Sequence, residues 1–156
     1  MKKSDAILLV NLGILNATNH TLSVEHAYKV VKFRKALNAA LEDISKEEEA
    51  LRKDAGIEDA EAFDGKLAEL RKAESPTKEQ KKELEGLENQ LRRFVDLRNE
   101  MLKQELPLDV KAMPYEEWRK LQAENKEKDF NGAKRDLFSG YAEDVLEGVL
   151  WTAPEE

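Results

Sequence analysis

The chain of 156 residues has no cysteine, seven glycines, four prolines and few aromatics, 6% of its residues. Without cysteine there is no disulfide scaffold, thiolate metal site or cysteine nucleophile. Low glycine and proline exclude collagen-like, linker and glycine-rich loop architectures. The longest apolar run, residues 6–10, falls far short of the ~18 residues a membrane span needs. It is also too short and too interrupted, by Asn11 and Asn16, for a secretory signal, and no small-residue cleavage site follows. What is abundant is charge, 38% of residues against a usual ~25%. With a hydrophobic fraction of 40%, this is the composition of long helices that bury a narrow stripe and keep wide solvated faces. A soluble, all-α, cytoplasmic-type chain is expected. Its net charge of −7 disfavours general binding to nucleic acid or to an anionic membrane, because phosphates repel the chain as a whole.

The chain reads as a single helical domain over residues 1–156. Ser4 and Asp5 can cap a first helix carrying Ile7, Leu8, Leu9, Leu12 and Leu15, which needs burial for its length. Residues 16–21 are a polar break, and Ser23 is the next N-cap candidate, with Glu25 in the first turn. From residue 24 to about 54, Val30, Phe33, Leu37, Ala40, Ile44 and Leu51 step by three and four, with Glu47 at the skipped seam position. Glu42–Lys46 and Glu48–Arg52 have the spacing of i,i+4 ion pairs, and Gly56 is placed to stop the helix. The connector 55–77 has helical spacing at Phe63, Leu67 and Leu70 and reads either as helix or as flexible link. Thr77 with Gln80 forms a capping box. Leu84, Leu87, Leu91, Phe94 and Met101 then make a second seam, with Arg98 at its skipped position, ending before Pro107. The expected fold is a long antiparallel, coiled-coil-like hairpin over residues 23–105, with a short first helix and a small C-terminal helical subdomain over 106–156.

In that subdomain, residues 106–110 suit a lone strand or strap, Pro114 suits the start of a helix with Tyr115, Trp118 and Leu121, and a last helix is expected from about 133 to 150. The aromatic set Tyr115, Trp118, Phe130, Phe138, Tyr141 and Trp151 reads either as a small core or as a docking patch. The stripe on the last helix is wider than one packing partner needs. On that ground Leu137, Phe138, Tyr141, Val145, Val149 and Trp151 are the candidate partner-binding residues, with the strap 108–110 beside them.

Motifs for chemistry are missing. The only histidines, His20 and His26, lack paired metal-ligand spacing and read as a loop residue and a cap-region side chain. No serine has a nucleophile-elbow context, and Gly65-Lys66-Leu67 is not a phosphate loop. No catalytic residue, cofactor, metal or small-molecule substrate is therefore expected. Lys29, Lys32 and Lys35 step along one face and could meet phosphate or an acidic partner, or could simply be a solvated flank. The sequons at Asn16 and Asn19 are short enough to occur by chance, and nothing else in the sequence suggests secretion.

Leu12-Gly13-Ile14-Leu15, then Ala27-Tyr28-Lys29-Val30 opening a long charged helix, and the late Leu108-Asp109-Val110 before an apolar last helix give the chain a pattern. In that pattern it resembles small helical proteins encoded in tailed-phage and prophage structural gene clusters. The resemblance implies a virion, assembly or host-interaction role and brings no active site. The expected function is non-enzymatic assembly by self-association or a protein partner. The alternatives are an acidic regulator or inhibitor of a host protein and, ranked lower, a nucleic-acid-binding accessory protein.

Overall fold

The computed structural model describes residues 1–11, 22–126 and 141–153, apart from the side chains of residues 125, 126, 141 and 142. It is mostly helical, with six helices and one two-stranded parallel sheet among the described residues. These are α1 (Lys3–Asn11), α2 (Val24–Asp54), α3 (Ala60–Lys72), α4 (Lys78–Leu102), β1 (Met113–Pro114), α5 (Tyr115–Lys126), α6 (Tyr141–Leu146) and β2 (Trp151–Thr152). They divide into two compact units, Met1–Glu42 with Gln104–Glu156, and Asp43–Lys103. None of these helices is long and apolar enough to cross a membrane.

In the first unit, α1 begins earlier than its Ser4-Asp5 pair suggests. Asp5 sits in the first turn and its carboxylate accepts the Lys2 N–H at 3.3 Å, satisfying one donor that the helix leaves open. Ala6 and Leu9 are fully buried, while Leu8 faces outward at 41% exposure. Leu12 and Leu15 lie outside the described residues, as does His20. The Ser23 hydroxyl caps α2 by accepting the His26 N–H at 3.4 Å. The first part of the α2 seam then delivers Val30, Phe33 and Leu37 to the core with no exposure. Met113, Trp118, Leu121, Leu146, Leu150 and Trp151 complete that core.

The strand in this region is not the segment that its apolar character indicated. Residues 106–110 carry no ladder, and the pairing falls instead on Met113–Pro114 and Trp151–Thr152. The cause lies at the end of the last helix, which stops at Leu146 rather than near 150. Gly148 takes φ +75° and its N–H donates to the Trp151 carbonyl at 2.7 Å, so the chain turns before it can propagate a helix. The turn brings Leu150 beside Met113, whose N–H donates to the Leu150 carbonyl at 2.8 Å. Two residues per strand cannot hold a sheet alone. Tryptophan packing fixes this one: Trp151 stacks on Trp118 at 5.9 Å and lies 5.7 Å from Tyr115. Both indole N–H groups end on Glu143 of α6, Trp118 on its carboxylate at 3.3 Å and Trp151 on its carbonyl at 3.1 Å, as buried indoles require.

In the second unit, the end of α2 closes with the double hydrogen bond of a Schellman turn. The Ile57 N–H reaches the Arg52 carbonyl at 3.0 Å and the Gly56 N–H reaches that of Lys53 at 2.9 Å. Gly56 has φ +85°, and a Cβ there would come within 2.8 Å of the Gln90 side chain. The connector 55–77 is mostly the helix α3, which the Asp59 carboxylate caps by accepting the Ala62 N–H at 3.0 Å. Thr77 and Gln80 form the expected reciprocal capping box on α4, at 3.1 and 2.9 Å. Ile57, Phe63 and Leu67 are the buried centre, and the α4 stripe Leu84, Leu87, Leu91 and Phe94 packs against them.

Two expected ion pairs along α2 are replaced. Lys46 takes Asp43 at 3.1 Å instead of Glu42. Glu48 takes Arg98, and the Arg52 guanidinium lies over the Phe94 ring at 5.3 Å. For Glu48 and Arg52 a neighbouring helix offers less solvated partners than the i,i+4 pair, which is worth only a few tenths of a kcal/mol, whereas Lys46 keeps to an exposed partner on its own helix. The seam's skipped position at Arg98 thus carries a helix-to-helix ion pair.

Candidate functional site

Two surfaces stand out, one in each unit. In the second unit the α4 stripe is only partly covered. Leu84, Leu87, Leu91 and Phe94 all remain half-buried although they pack on Ile57, Phe63 and Leu67. Val95, one turn beyond Leu91, is 43% exposed on the flank of the same stripe. A cleft of about 470 Å³ is lined by charges of both signs, among which Glu49 pairs with Lys53 at 2.9 Å and Glu48 with Arg98.

In the first unit a groove of about 530 Å³ opens between α2 and the chain leading into β1. Tyr28, Lys29 and Lys32 of α2 form one wall and the segment from Val110 to Pro114 another, with Glu117, Leu150 and Thr152 completing the lining. Tyr28 is 67% exposed, unusual for an aromatic ring. The three lysines predicted as one face are thereby sorted. Lys29 is held by Glu117 and, at 3.7 Å, by Glu25. Lys32 is exposed and lines the groove, and Lys35 is exposed and does not. Sequence reasoning missed Lys111, which joins Lys32 at the groove. It lies in a segment without periodicity, where no pattern assigns a face.

Glu117 also belongs to a partly buried polar network around His26. His26, 7% exposed, binds Glu124 through Nδ1 at 2.9 Å and lies 3.7 Å from Glu117 through Nε2. Burial pushes the Glu124 carboxyl up, but hydrogen bonds from the Ser23 N–H, at 2.9 Å, and from His26 outweigh it, so its pKa lies below the usual carboxylate value. The cap-region reading of His26 therefore holds, with its ring tying α2 to α5. No group of three His, Asp or Glu side chains among the described residues could hold a metal ion.

The six residues picked from the last-helix pattern are not brought together as an outward patch among the described residues. Trp151 is buried at 7% exposure in the unit's own core, and Val145 and Val149 are half-buried against that core. Leu137 and Phe138 lie outside the described residues, as does the side chain of Tyr141. Trp118 and Trp151 are both buried in this core, with their rings stacked on each other. Compared with known protein families, with curated proteins and with solved structures, the chain matches none.

Proposed function

We propose that this chain is a non-enzymatic helical assembly protein that acts through protein–protein contacts, of the virion or assembly kind that the phage-like pattern of its sequence implies. The observation that carries the reading is the half-covered stripe on α4. A stripe of four large apolar residues, packed on a centre of only three, leaves surface that a further helix can cover. Each additional 100 Å² of apolar area covered contributes roughly 2.5 kcal/mol, at about 25 cal/mol per Å², before the entropy of association is subtracted.

The finer architecture belongs to the same proposal. Glu48 meets Arg98, Arg52 meets Phe94 and Gly56 meets Gln90, so residue numbers fall on α4 as they rise along the end of α2. This supports an antiparallel, coiled-coil-like hairpin that presents the α4 stripe to a second chain. Light scattering of the purified chain across a range of concentrations tests the proposal. A mass that rises with concentration is expected, and Val95→Glu should weaken the association about tenfold or more by placing a charge on the stripe's flank. Val95 is exposed enough that the variant keeps its fold. A monomer mass at every concentration, or association untouched by Val95→Glu, would count against the reading.

A further inference from the structure

We propose that the groove of the first unit docks a short, extended, acidic segment of a partner protein. This goes beyond the assembly reading and rests on a different surface.

Charge comes first. Lys32 and Lys111 line the groove, both are exposed, and neither makes an ion pair among the described residues. Free ammonium groups gathered at one groove are notable in a chain of net charge −7. Carboxylates placed there would gain partners without displacing any, whereas Lys29 is already occupied by Glu117.

The backbone supplies the second argument. Neither the Lys111 nor the Ala112 N–H has a hydrogen bond among the described residues. The Met113 N–H points at Leu150 across the small sheet. Groups alternate along an extended chain, so the Ala112 N–H and carbonyl are directed away from β2 and are the groups with which an added strand would pair. Pro114 offers no N–H, which limits the added strand to the residues before it. An extended ligand places alternate side chains on opposite faces. Its acids can reach Lys32 and Lys111, and apolar side chains between them can meet Tyr28 and Val110, which line the same groove.

Nucleic acid suits the groove less well. It carries a charge at every phosphate, and it would meet Glu117 within the groove and the negative field of the whole chain. A segment with a few spaced carboxylates brings fewer charges against Glu117 and that field, and can place them at the two lysines.

Fluorescence anisotropy on the full chain at low salt tests this with a fluorescein-labelled peptide of alternating Asp and Val, about eight residues long. Its Asn-for-Asp counterpart and an oligothymidylate of similar length serve as comparison probes. Saturable binding of the acidic peptide is expected, weakening as salt is raised. Lys32→Gln with Lys111→Gln should weaken it about tenfold or more, and Tyr28→Ala should weaken it further. Lys78→Gln with Lys82→Gln, the same charge change at exposed sites on α4, should leave it unchanged. Circular dichroism of each variant checks that the fold is kept. The inference is overturned if the acidic peptide does not bind, if the groove variant binds it as well as the parent chain, or if the oligothymidylate binds more tightly than the peptide. Association through α4 is read separately by light scattering, so loss of the groove inference leaves that reading standing, and the reverse also holds.

Discussion

Trp118→Ala is expected to lower the stability of the chain by about 3–5 kcal/mol, the range for deleting a large aromatic from a closed core. Trp118 has no exposed surface, stacks on Trp151 at 5.9 Å and donates its indole N–H to Glu143 at 3.3 Å. Its loss leaves a cavity, removes an aromatic pair worth ~1 kcal/mol beyond its area, and frees the Glu143 carboxylate. The sheet of two residues per strand has little else to hold it, so Met113 and Trp151 should separate. Urea unfolding followed by Trp151 emission measures the effect. Both tryptophans lie in the first unit, so the signal reports on that unit. A loss under ~1 kcal/mol would mean that this ring is not the centre of its core.

The second large effect belongs to the other unit. Phe63→Ala should cost about 3 kcal/mol, because Phe63 is the largest of the three residues, Ile57, Phe63 and Leu67, that form the buried cluster against α4. Far-UV circular dichroism during urea unfolding is the suitable probe, since most helix of this unit lies in α3 and α4. An unchanged midpoint would show that the packing of α3 on α4 does not depend on this ring.

Much of this fold was legible because helices announce themselves by period and by caps. The seam from Val30 to Ile44, the Ser23 cap, the Gly56 stop and the Thr77–Gln80 box are local features, each specified within one or two turns of chain. The β1–β2 pair was not legible. Its strands are two residues long, lie far apart in sequence and depend on a turn at Gly148 that the run of apolar positions at helical spacing, Val145, Leu146, Val149 and Leu150, conceals. That same run made Trp151 look like an interface anchor. A tryptophan on a wide apolar stripe has the same pattern whether it meets a partner or its own core, and only the stacking on Trp118 separates the two.

The groove was half legible. The spacing of Lys29 and Lys32 placed them on one face, but Lys111 comes from a chain segment with no repeating pattern. Whether a lysine is free depends on its neighbours in space: Lys29 is taken by Glu117, 88 residues away in sequence. The ion pairs along α2 show the same limit. Local spacing favoured Glu48 with Arg52, while the folded chain gives Glu48 to Arg98, 50 residues away.

The central claim is that the α4 stripe is covered by another chain when the protein assembles. Amide hydrogen exchange of residues 84–95, measured at two protein concentrations about a hundredfold apart, tests it directly, because covering a helix face suppresses the local opening that exchange requires. The account predicts slower exchange in this segment at the higher concentration, and no such slowing in Val95→Glu. Identical exchange at both concentrations in the parent chain would contradict it.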